Sequence, residues 1–143
     1  VDDGIETPEA SQDGKAIGLD VGLIDLAVTS DGSKYANPKH LKKHRRNLKR
    51  KQQKLSRKQK GSNTRQKAKR LVARVHSKIQ RVRVDFLHKL SRKIVDENQV
   101  IAVENLNVKG MVRNHCLAQA ISDAGWSMFG TMLKYKAEKL GKL

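Results

Sequence analysis

The chain has 143 residues, 37% hydrophobic and 31% charged, enough for one lean domain. Its 31 Lys and Arg against 14 Asp and Glu give a net charge of +17 and a pI of about 10.3. No run is apolar enough to cross a bilayer, the acidic start lacks a signal peptide's basic and apolar regions, and the lone Cys116 excludes an internal disulfide or a multi-cysteine zinc site. A cytoplasmic location is the expectation.

Residues 1–15 are acidic and turn-rich and are expected to form a flexible lead-in. Ala16 to Gly22 is a short apolar run broken by Asp20, and predicts a strand. Leu26–Thr29 predicts a second strand, Asp31-Gly32 a hairpin turn, and Ser33–Ala36 a third strand. Asn37-Pro38 ends the pattern. From Lys39 to about Lys60, Leu41, Leu48 and Leu55 repeat at seven residues, a thin seam suited to a helix laid against one partner. Gly61-Ser62-Asn63 is a helix stop followed by an N-cap.

A second helix should run to about Glu97, with Ala68, Leu71, Val72, Val75, Ile79, Val82, Phe86, Leu87, Leu90 and Ile94 at three- and four-residue steps. The economical arrangement of 39–97 is an antiparallel helical hairpin, seam against seam, with cationic faces outward. Val100 to Leu106 predicts a fourth strand, carrying Glu104. Residues 108–115 predict a connector, and Ser122 to Leu140 a last helix with Trp126 as a core anchor, Asp123 capping that helix or positioning Trp126.

Charge placement says more than its total. Eight of the 14 acids lie at or before Asp31, whereas Lys39 to Lys93 holds 23 Lys or Arg and one acid, Asp85. A field of one sign this dense repels itself without a polyanion, and counterion release from phosphates favours nucleic acid as the partner. The residues expected to meet phosphate are Lys42, Lys43, Arg45, Arg46, Lys49, Arg50, Lys54, Arg57 and Lys58 on the first helix, and Arg65, Lys69, Arg70, Arg74, Lys78 and Arg81 on the second. A structural basic protein without any site is the rival reading.

Three strands in a meander, a helical excursion, a fourth strand and a further helix follow the opening order of the ribonuclease H-like fold. There Asp20 and Glu104 stand on neighbouring strands. A carboxylate left in a buried strand costs several kcal/mol unless paired or metal-bound. Taken singly, each acid reads as a strand-end cap or an ion-pair partner. Taken together with the basic segment between them, they read as ligands that could converge on Mg²⁺, a hard cation that takes oxygen donors. Gly18 and Gly22 would let a nucleic acid backbone approach. His40 and His44, four apart, lack a nearby carboxylate and read as positions beside phosphate. His76, His88 and His115 read as packing or phosphate contacts, and Cys116 as a small buried residue.

The stretch Ile17-Gly18-Leu19-Asp20-Val21-Gly22, then Leu26-Ala27-Val28-Thr29-Ser30-Asp31-Gly32, resembles the opening of the TnpB (OrfB-type) proteins of insertion sequences. So do Asp85-Phe86-Leu87-His88-Lys89-Leu90-Ser91, Val103-Glu104-Asn105-Leu106-Asn107-Val108-Lys109-Gly110-Met111 and Ile121-Ser122-Asp123-Ala124-Gly125-Trp126. The resemblance implies an α/β, RuvC-like nuclease domain over 16–143 with the basic hairpin 39–97 inserted, from a transposase that acts as a guide-RNA-directed DNA endonuclease. It implies Asp20 and Glu104 as the first two catalytic carboxylates, Mg²⁺ or Mn²⁺ as cofactor, and DNA and guide RNA as partners. The family's third catalytic aspartate and its four-cysteine zinc module do not occur in this sequence, so cleavage by this chain alone is not expected. A non-catalytic RNA- or DNA-binding module is the alternative.

Overall fold

A computed structural model describes Glu6, residues 8–11 and residues 13–143. Residues 1–5, 7 and 12 of the expected flexible lead-in therefore lie outside the described residues. The elements run β1 (Ala16–Val21), β2 (Asp25–Thr29), β3 (Lys34–Ala36), α1 (His40–Ser56), α2 (Asn63–Glu97), β4 (Val100–Val103), α3 (Val108–Met111), α4 (Ala118–Ala124) and α5 (Trp126–Lys139). The architecture is mixed α/β. No helix among the described residues is long and apolar enough to cross a membrane. The chain divides into two compact units, one formed by Val1–Pro38 with Phe86–Leu143, the other by Lys39–Asp85.

The first unit holds a four-stranded sheet in the order β3-β2-β1-β4. β1 pairs antiparallel with β2 and parallel with β4. The alternation of β1 explains its burial: Ile17 and Leu19 are buried on one face, whereas Gly18 and Asp20 point to the other. Ile101 and Val103 sit in register with Ile17 and Leu19, and so share their face. α5 contributes Gly130, Leu133 and Ala137 to a cleft of about 340 Å³ lined also by Ile101 and Val103. Leu26, Leu87, Ile94, Val95, Ile121 and Phe129 are nearly inaccessible to solvent and fill this unit's core. The C-terminal end of α2 is closed by side chains: Asn98 donates to the Ile94 carbonyl, and the Lys142 ammonium donates to the carbonyls of Val95 and Asp96. At the outer edge of β4, Leu143 donates its N–H to Gln99 O and accepts from Ile101 N–H, the staggered pattern of a parallel bridge at Val100.

Three expected boundaries shift. The fourth strand stops at Val103 rather than Leu106, because Leu106 N–H turns back to Glu104 O and Val108 N–H to Leu106 O. The connector 108–115 contains the one-turn helix α3, whose Asn107 side chain accepts from Gly110 N–H. The last helix is broken in two at Gly125, which at φ 73° ends α4 and begins α5. Gly125 is therefore the residue preceding α5, and Asp123 does not cap it.

The second unit is a pair of helices. Leu48, Val75 and Ile79 are its buried core, with Leu41 and Val72 packed against them. Leu71, expected in this seam, is 43% exposed. Between the helices Ser62 accepts from Arg65 N–H as the N-cap of α2. Arg65 reaches back to donate to the carbonyls of Leu55 and Lys58, satisfying the open end of α1.

Candidate functional site

The parallel pairing of β1 with β4 ends at Leu19 beside Val103, and Asp20 and Glu104 are the residues that follow, Glu104 just past the end of β4. Neighbouring strands lie about 4.8 Å apart, within the span over which two carboxylates can share an ion or its waters. Neither side chain accepts a hydrogen bond or an ion pair from the described residues. Both are exposed. The expected burial is thus corrected: the apolar run is buried on the Ile17–Leu19 side only, and the acids carry no large desolvation cost. Two free, hard oxygen donors open to solvent fit a hydrated divalent cation that keeps several waters. No group of three or more His, Cys, Asp or Glu with metal-site geometry occurs among the described residues.

The turn beyond Asp20 is held from several sides. Gly22 N–H donates to Leu26 O at 3.2 Å and Asn37 Nδ2 to Leu23 O at 3.0 Å. The Trp126 indole N–H donates to Gly22 O at 3.2 Å. A Cβ on Gly22 would stand 2.9 Å from Asp25 O, so the turn itself calls for the glycine. Trp126 is buried, as expected of a core anchor, and its polar edge fixes this turn in addition. Ile24 stands at the tip of the turn, 83% exposed.

In the helical unit, every cation expected to meet phosphate is exposed except Arg65, which is half-buried and engaged with the α1 carbonyls. Arg70, Arg74 and Arg81 share one stripe of α2 with Ser77, on the side of the helix away from Val75 and Ile79. A second concave surface is lined by Arg50, Lys51 and Lys54 of α1, by Lys58 beyond its end, and by Thr64, Lys67, Ala68 and Leu71 of α2. Lys51 and Lys67 escaped the sequence reading. Lys51 lies at the three- and four-residue steps of α1's packed face (41, 44, 48, 51, 55) and is half-buried, which that spacing could have indicated. His40 and His44 are half-buried, and Cys116 is exposed rather than buried.

The family model OrfB_IS605, described as "Probable transposase", matches residues 3–115. The chain belongs to this family. It is 47% identical over 127 residues to a "Putative RNA-guided DNA endonuclease" of Streptomyces pristinaespiralis, a match covering 89% of this chain and 32% of that protein. It is 34% identical over 135 residues to the "Putative RNA-guided DNA endonuclease InsQ" of Escherichia coli (strain K12), covering 84% of this chain and 34% of the relative. The chain thus spans about a third of the length of the curated relatives it matches. The expectation of an OrfB-type transposase from the strand and helix motifs is borne out.

Proposed function

We propose that this OrfB-family chain carries the front part of a ribonuclease H-like, RuvC-like nuclease domain of an RNA-guided DNA endonuclease. In this reading it binds DNA and guide RNA through the exposed cations of α1 and α2, and holds Mg²⁺ or Mn²⁺ between Asp20 and Glu104. The observation that carries the reading is the parallel pairing of β1 with β4, which ends one residue before Asp20 in one strand and one residue before Glu104 in the other. The strand order β3-β2-β1-β4 and the names of the relatives support it.

A divalent cation at this place supplies charge stabilisation for phosphodiester displacement. The chain's own residues contribute part of the site. Asp20 and Glu104 offer oxygen donors. The turn pinned through Gly22, Asn37 and Trp126 fixes the end of the strand that carries Asp20. The cationic helices hold phosphates and so raise the local concentration of substrate.

The test does not require cleavage. Calorimetric titration with Mn²⁺ is expected to show saturable binding that is lost in Asp20→Ala and in Glu104→Ala, with both variants folded by circular dichroism. Equal binding in the parent and both variants would remove the carboxylate pair from the metal reading.

A further inference from the structure

The concave surface between α1 and α2 differs in kind from the rest of the cationic helices. Its rim is formed by Arg50, Lys51, Lys54, Lys58 and Lys67, and no acid lines it. Its floor is apolar: Ala68 is half-buried and Leu71 is 43% exposed, a leucine that the interhelical seam leaves uncovered. The cleft has a volume of about 250 Å³. Five cations gathered around one hollow repel one another unless an anion lies among them. An apolar floor, however, gains nothing from a bare phosphate, and an apolar peptide gains nothing from the rim. A nucleotide satisfies both, with its phosphate on the Lys and Arg heads and the flat face of its base on Leu71, Ala68 and the lysine stems. The volume suits one base with part of its sugar and is too small for a duplex.

We infer that this cleft receives a single unstacked nucleotide of a bound strand. The inference rests on the nucleic-acid reading above and deepens it. The outer faces of α1 and α2 track backbone phosphates, whereas this hollow takes one base out of the stack and anchors the strand. Selectivity there is for single-stranded or bulged positions, where extruding a base costs least, and is tolerant of base identity, because every base presents an apolar face.

The experiment uses the whole chain and a single-stranded DNA 12-mer with 2-aminopurine at successive positions. Anisotropy of an end label reports binding, and 2-aminopurine emission reports unstacking. At saturation, one position is expected to brighten about twofold or more, as a base leaves its stacked neighbours. That rise should fall by at least half in Leu71→Ser and persist in Leu71→Met, with unchanged thermal melts showing that both variants are folded. Binding by anisotropy with no brightening at any position would overturn the cleft inference while leaving nucleic-acid binding intact. A rise undiminished in Leu71→Ser would also overturn it, since the base would then sit elsewhere. Absence of binding by anisotropy would defeat the nucleic-acid reading itself.

Discussion

Trp126 donates its indole N–H to the carbonyl of Gly22, so the first residue of α5 holds the turn that follows the strand bearing Asp20. The two residues are 104 apart in sequence, and both belong to the sheet-bearing unit. The contact combines apolar burial, at 7% exposure, with one directional bond to a carbonyl that the β-ladder does not use. Trp126→Phe keeps most of the packing and removes the bond, and should cost about 0.5–1.5 kcal/mol. Trp126→Ala removes both and should cost about 3–5 kcal/mol. Urea unfolding measures the two losses. Hydrogen exchange should show the amides from Gly22 to Asp25 less protected in Trp126→Phe while those of α2 hold. Uniform loss of protection would mean that the indole supports the core generally and not this turn.

The helical unit offers a sharper contrast, because two apolar residues of one helix have opposite environments. Ile79 is 3% exposed in the cluster with Leu48 and Val75, whereas Leu71 is 43% exposed. Ile79→Ala should destabilise by about 2–5 kcal/mol, the range for deleting buried methylenes. Leu71→Ala should stay within about 0.5 kcal/mol, as for a surface position. Melting both variants by circular dichroism checks the order. A larger loss from Leu71→Ala would show that the seam runs along the other flank of α2.

Arg45, Arg46, Lys49 and Arg50 are exposed along α1 and make no contribution to its buried seam. Replacing the four with Ala should leave the melting temperature nearly unchanged and weaken nucleic-acid binding. The salt dependence is the more specific readout. Each phosphate contact contributes about 0.7–0.9 to the slope of log K against log salt, so loss of all four should flatten the slope by about 3. A weaker affinity at an unchanged slope would mean that these side chains act on the protein's shape and not on phosphates.

The sequence was informative where one periodicity governed a segment. The stripe of α2, its N-cap at Ser62 and the β1–β2–β3 meander follow from spacing and turn chemistry alone. Asp20 and Glu104 were recognisable as acids at the ends of apolar runs, but their exposure was not. A run of apolar residues suggests burial on both faces, whereas the Gly18–Asp20 side of β1 is open at Asp20. The break at Gly125 was hidden because an amphipathic pattern continues across it, and a positive φ leaves no mark on periodicity. Leu71 was misplaced for a related reason: which flank of a helix its partner covers depends on how the two axes cross, and one helix's spacing does not encode that angle.

The turn between β2 and β3 gives the last expectation, in pH. Asp31 accepts from the Thr29 hydroxyl and from Ser33 N–H through one oxygen, and Lys15 lies 3.4 Å from the other. The Thr29 hydroxyl first, then the Ser33 amide, hold this carboxyl well below the usual carboxylate range. An unfolded Asp titrates near about 3.9. Between that value and the depressed folded one, the unfolded chain binds more protons than the folded chain, so stability falls as pH falls. The contribution is fully present above about pH 5 and declines below about pH 4. Asp31→Asn lacks this titration. The gap in melting temperature between parent and variant should therefore be constant from about pH 7 to 5 and shrink toward about pH 2.5, while the other acids titrate equally in both proteins. A gap that stayed constant to the lowest pH would show that the Thr29 and Ser33 bonds serve the amide as well as the carboxylate, and that the turn is shaped by hydrogen bonding without charge.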